Sequence, residues 1–245
     1  MGIIKMAYLT YVSDDVLVRE VKFLLDKALK KRKDAEKSFN KNVIDPFGAL
    51  FEAPAFNNHA EWKNAEMARQ CQKTIQNHVG TFHQRILGSV DGWEDLGVGG
   101  IVDLVNNGKK IIAEVKNKYS TVTGGNLAAM YNSLDAQVSP KNSRYKDYTA
   151  YFVNIIPKHP ARSDVPFIPS DKEKGQKCHE NEKIRCIDGA SFYTIVTGRE
   201  SALSELHSAL PEVIEHVYRN NYGKTDFSIP DPAEFTSYFH LAYGE

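Results

Sequence analysis

The stretch from Gly100 to Lys118 constrains this chain more than any other. Two runs rich in β-branched residues, Ile101–Val105 and Ile111–Val115, flank Asn106-Asn107-Gly108-Lys109, and Asn-Gly between such runs is the strongest short-range signal for a tight β-hairpin. A two-residue loop at Asn107-Gly108 pairs Asn106 with Lys109 and sets Asp103 opposite Ile112, with Glu114 on the diagonal beyond. Side chains two apart on a strand share a face, so Ile112, Glu114 and Lys116 point the same way and Asp103 joins them through its partner. The diagonal is about 7 to 8 Å at the backbone, a gap that two carboxylates can close onto one cation. A one-residue change in the loop would send Asp103 to the opposite face, so this expectation depends on register.

Asp103 and Glu114 offer hard oxygen ligands of the kind Mg²⁺ takes. With Lys116 beside them, the set suits metal-assisted hydrolysis of a phosphodiester: the metal acidifies a bound water and polarises a phosphoryl oxygen, and the ammonium orients the nucleophile and offsets developing charge. The same pattern also fits the solvated face of an ordinary strand, with Asp103 as a pairing residue. Against that plain reading, Asp103 interrupts an otherwise apolar strand beside Gly99, Gly100 and Leu104, where an unpaired charge is costly.

Val102-Asp103, a short hairpin and Glu114-Val115-Lys116 resemble the D…ExK half of the PD-(D/E)xK nuclease signature, with valine where that pattern often has proline. The longer string from Ile101 to Thr121 resembles the type II restriction endonucleases that cut GGNCC-like sites, over roughly Asp45 to Ile156. The resemblance implies an α/β fold with a restriction-endonuclease-like core: a central mixed β-sheet flanked by helices in the order αβββαβ, with helical additions at both termini. It also implies catalytic Asp103, Glu114 and Lys116, the two carboxylates as Mg²⁺ ligands, double-stranded DNA as substrate and a homodimer matched to a near-palindromic site. An acidic residue from the helix before the sheet joins the metal in some such nucleases, which makes Glu66 and Glu61 candidates beside their simpler role as surface residues.

Composition sets the bounds. A chain of 245 residues accommodates one large domain over 1–245, with a recognition loop or insertion expected at 157–190. Formal net charge is zero, so DNA binding requires a local basic face and a histone-like binder is disfavoured. No apolar run reaches membrane-spanning length and no secretory signal pattern opens the chain, so a cytoplasmic protein is expected. Cys71, Cys178 and Cys186 are too few for a disulfide framework, and Cys178-His179 with Cys186 lacks the paired spacing of a zinc site.

Along the chain, Ser13 or Asp14 caps a helix expected to reach about Ser38, its end carrying Lys30, Lys31, Arg32 and Lys33. Those charges either touch phosphates or simply complement the helix dipole. Phe47, Leu50, Phe51 and Phe56 follow an Asp-Pro turn and suggest packing around an irregular connection. Ala65, Ala68, Cys71, Ile75, Val79, Phe82 and Ile86 recur at helical spacing and Gly88 stops them, predicting a long helix from about Glu61. A short strand is expected between Ser89 and Val98. The glycines Gly97, Gly99 and Gly100 fail as a phosphate loop because a strand, not a helix, follows.

Leu127, Met130, Leu134 and Val138 predict a helix ending before Pro140, whose N-terminal amides could bind phosphate. Asn117, Lys118 and Thr121 are the DNA-contact candidates there. Tyr148 to Ile156 reads as a strand buried on both faces. The charged segment from Lys158 to Arg185 reads either as a recognition loop that orders on DNA, with Lys158 and Arg162 able to reach guanine edges, or as a flexible surface insertion. Ile184–Cys186 and Phe192–Val196 are expected as strands, Ser201–Asn220 as a helix broken or kinked at Pro211, and the aromatic tail from Tyr222 as a docked segment.

The reading is therefore a Mg²⁺-dependent sequence-specific endonuclease. A repair or junction-resolving nuclease on the same core, or a non-catalytic DNA-binding module, is the alternative. None of the eight histidines sits in a nucleophile motif that would favour a Ser-His-Asp hydrolase.

Overall fold

The computed structural model describes residues 7–97 and 99–244. Helix α1 (Asp14–Lys33) opens on Ser13, whose hydroxyl accepts the Val16 N–H, with acidic residues in its first turn and basic ones in its last. Both ends complement the helix dipole. It stops at Asp34, so the single helix expected to reach Ser38 is divided, and a short α2 (Ala35–Ser38) and a 3-10 turn follow.

Asp45-Pro46 starts a helix here. Asp45 accepts the Phe47 N–H and Pro46 fits the first turn of α3 (Pro46–Glu52). Contrary to the packing expected of this segment, Phe47, Leu50 and Phe51 are 73%, 73% and 88% exposed. The long α4 (His59–Gly88) is capped by Asn58 and runs for 30 residues.

The remaining elements are β1 (Glu94–Asp95), β2 (Leu104–Asn106), β3 (Ile111–Lys118), α5 (Gly124–Val138), β4 (Thr149–Ile156), β5 (Asp164–Pro166), β6 (Ser170–Asp171), β7 (Gln176–Lys177), β8 (Ile184–Asp188), α6 (Gly189–Thr197), α7 (Ala202–Asn221) and α8 (Pro232–Tyr243). One sheet has the order β1-β2-β3-β4-β8-β5, while β6 and β7 form a separate hairpin. β1, β2 and β3 pair antiparallel, β3, β4 and β8 parallel, and β5 antiparallel on β8. This is a mixed sheet with a restriction-endonuclease-like α/β arrangement. The early strand expected within Ser89–Val98 is β1, and Val98 itself lies outside the described residues.

Two apolar layers hold the sheet. On one face Ile112, Phe152 and Ile184 pack with Tyr131, Leu134 and Val138 of α5. On the other, Ala113, Val115, Val153 and Ile155 pack with Leu17 of α1, Ile86 of α4, Tyr193 of α6 and Leu206 of α7. β3 and β4 thus feed both layers through alternate residues.

Phe192–Val196, expected as a strand, is helical within α6. Asp188 accepts the Ser191 N–H at its start and Gly198 ends it in the left-handed conformation. Capping and burial of Phe192, Tyr193 and Val196 override the local β propensity. Pro211 is accommodated inside α7, which continues to Asn221. In the tail, Phe227 stacks on Tyr218, Phe239 is buried and the Tyr243 hydroxyl donates to the Ile155 carbonyl at 2.9 Å. Phe235 and Tyr238 nevertheless stay more than half exposed. No helix among the described residues is long and apolar enough to cross a membrane.

Candidate active site

The hairpin differs from its expected form by an even step. β2 and β3 pair Asn106 with Ile111, Val105 with Ile112 and Leu104 with Ala113, so the loop is the four residues Asn107 to Lys110. The Asn106 carboxamide oxygen accepts the Lys109 N–H at 2.7 Å, and Lys110 takes a positive φ of 52°. That side-chain turn displaces the tight Asn-Gly turn. The register moves by two residues, which returns the paired residues Leu104, Val105 and Asn106 to their predicted faces. Asp103 precedes β2, beyond the last paired residues Leu104 and Ala113, and is close enough to Glu114 for their charges to interact.

Asp103 is pinned from two sides. Its backbone N–H donates to the Ala113 carbonyl at 3.0 Å, and its carboxylate Oδ2 accepts the Val115 N–H at 2.7 Å. The side chain thus occupies the place of a strand carbonyl in the ladder. Lys116 donates from Nζ to Glu114 Oε1 at 2.5 Å, with side-chain exposures of only 23% and 16%. Burial, and then the neighbouring Glu114, push the Asp103 carboxyl up to about 6, against the downward pull of the Val115 N–H and Lys116. Two close carboxylates that resist being charged together form a donor set that a divalent cation would relieve.

A family model of the Eco47II restriction endonuclease matches residues 9–219. The chain belongs to that family. It is 64% identical over 239 residues to the type II restriction enzyme Eco47II of Escherichia coli, covering 98% of this chain and all of the relative. It is also 33% identical over 219 residues to the type II restriction enzyme Sau96I of Staphylococcus aureus, covering 85% of this chain and 80% of that one. The activity is accordingly that of a sequence-specific DNA endonuclease, and the repair and non-catalytic alternatives give way to it.

Within this family member, the remaining candidates separate by strand parity. Lys118 shares the face of Glu114 and Lys116 and is exposed, and Thr121 accepts the Lys118 N–H at 3.3 Å through its hydroxyl. Asn117 turns the other way, against Gly80 of α4 and away from the face of Glu114 and Lys116. Glu66 is engaged by Arg69 and Gln70, and Glu61 by Asn57. Glu66 also lies roughly 21 Å along the helix from Gly80. Further along α4, Gln84 donates to Asp95 of β1 at 2.7 Å.

The segment after β4 is more ordered than a charged loop suggests. Arg162 donates to the Thr194 hydroxyl at 3.0 Å and the Glu200 carbonyl at 2.6 Å, which turns it toward α6. Lys158 lines a cleft of about 370 Å³ together with Tyr119, His159, Asn154 and Asp188. Asn154 escaped sequence reasoning. Its signal was a carboxamide inside the apolar run of β4.

Proposed function

We propose that Asp103 and Glu114 hold Mg²⁺, that Lys116 aligns the attacking water, and that two copies of the chain cut both strands of a short, near-palindromic, GGNCC-like site. The observation that supports this reading is the enclosed cluster of Asp103, Glu114 and Lys116 at the hairpin, with Asp103 pushed up to about 6 by burial and by Glu114. When bound, the metal supplies Lewis-acid polarisation of the phosphoryl oxygen and a more acidic water. Val115 fixes the Asp103 carboxylate through its N–H, so the ligand oxygens are oriented before DNA arrives. The Lys116 ammonium donates hydrogen bonds at Nζ, orienting the nucleophile and offsetting charge as the phosphate is attacked.

Lys118 and Thr121, on the exposed edge beside α5, hold the backbone phosphate near the scissile bond. A two-fold DNA site matches a pair of chains, each bringing one cluster to one strand.

Purified protein with Mg²⁺ and plasmid carrying GGNCC sites should yield discrete fragments. Asp103→Ala should slow cleavage by about 10³-fold or more, by loss of a charge-stabilising ligand, while duplex binding without divalent ion persists. Undiminished cleavage by Asp103→Ala would reject the ligand assignment. Cutting of branched DNA regardless of sequence would reject the restriction site.

A further inference from the structure

Asn154 stands directly beside Lys116 in the parallel pairing of β4 and β3, and neighbours across a sheet share a face. Its Nδ2 donates toward β8, to Cys186 Sγ at 3.5 Å, while Oδ1 is buried with no hydrogen-bond partner among the described residues. Buried acceptors without donors are costly and uncommon, and one that persists calls for a functional explanation. The Cys186 thiol, pushed up to about 11 by burial, stays uncharged and restrains the amide only weakly.

The donor that fits is next to it. An ammonium has three N–H donors, and Lys116 commits one to Glu114. If Glu114 serves as a metal ligand, that carboxylate is drawn away and the ammonium loses its acceptor. We propose that Asn154 is a positioning residue for Lys116, its free Oδ1 taking the Lys116 ammonium and keeping Nζ aimed at the reacting phosphate. This inference rests on the catalytic role given to Lys116 above. It also explains why an apolar strand carries a carboxamide at this one register position, where leucine would fill the same space without an orphaned oxygen.

The test uses the full chain with Asn154→Leu, Asn154→Asp and Lys116→Met, each assayed for single-turnover plasmid cleavage with Mg²⁺, duplex binding without divalent ion, and thermal midpoint. Loss of one hydrogen bond to a charged group predicts cleavage by Asn154→Leu slowed about 10- to 100-fold, with Asn154→Asp staying within about fivefold of the unaltered protein. Duplex binding should not change, and the thermal midpoint should hold or rise, because an apolar isostere removes the unsatisfied oxygen. A merely structural asparagine would instead lose midpoint and cleavage together, which would overturn the proposal. Loss of duplex binding would overturn it too, by making Asn154 a DNA contact.

Should Asn154→Leu not fold, Asn154→Ala is judged by the same three measurements. Full cleavage by Asn154→Leu beside an inactive Lys116→Met rejects the positioning role alone. Full cleavage by Lys116→Met rejects the catalytic reading beneath it.

Discussion

β3 offers two unlike faces, and the contrast separates the proposed chemistry from stability. Ala113 and Val115 enter the apolar layer with α1, α4, α6 and α7, and Asn117 follows them to line an apolar cavity of about 480 Å³ with Phe82, Ile155, Leu206 and Tyr243. On the other face only Ile112 joins the α5 layer; Glu114, Lys116 and Lys118 then turn it polar toward the strand's end. One backbone therefore holds a charged cluster a side chain away from a dry core. The core face anchors the strand, so the polar face can keep two carboxylates close at an electrostatic cost that the rest of the fold offsets.

If the division holds, damage to the core face should cost stability without slowing chemistry. Leu17, fully buried in α1, is the largest such lever: Leu17→Ala should lower unfolding free energy by about 2–5 kcal/mol. Urea denaturation measures the loss, and the folded fraction at 25 °C should cleave at the unaltered rate. A slowed chemical step in fully folded Leu17→Ala would break the comparison.

A smaller effect comes from His83, whose Nδ1 lies 2.8 Å from the Tyr193 hydroxyl on the same apolar side. Burial pushes this imidazole down to about 4. Neutral in the fold but free to protonate near 6.5 when unfolded, it contributes stability that is complete above about pH 6.5 and drains away as pH falls toward 4. The loss should reach about 2–3 kcal/mol. His83→Gln should flatten that part of the stability curve, and an unchanged pH dependence would remove His83 from the account.

The mildest test compares chain neighbours on opposite faces. Lys118→Ala should weaken duplex binding several-fold and reduce its salt slope by about one phosphate contact, whereas Asn117→Leu should leave both unaltered. Equal losses from the two would show that parity along β3 does not sort the DNA contacts.

The regular elements were legible where one physical signal dominated. Helical spacing from Ala65 to Ile86 marks α4, and the unbroken apolar run after Tyr148 marks β4. Failures occurred where local and distant preferences conflict. Phe192 to Val196 favours a strand locally, but the Asp188 cap and the burial of Phe192, Tyr193 and Val196 make it a helix. Phe47, Leu50 and Phe51 look like core residues because their composition is apolar, yet exposure depends on what packs over α3, which local pattern does not encode. Asn107-Gly108 signals a tight turn, but the Asn106 side chain captures the Lys109 N–H and lengthens the loop.

By itself, the sequence determined that Glu114 and Lys116 share a face of the strand, because alternation with a period of two holds for any extended chain. Bringing Asp103 close to Glu114 required the tertiary structure, since a loop of four residues set the register. So did bringing Asn154 beside Lys116, because parallel strands joined by a helical crossover meet only when α5 packs on the sheet. Those long-range pairings decide which polar groups become neighbours, and no local propensity specifies them.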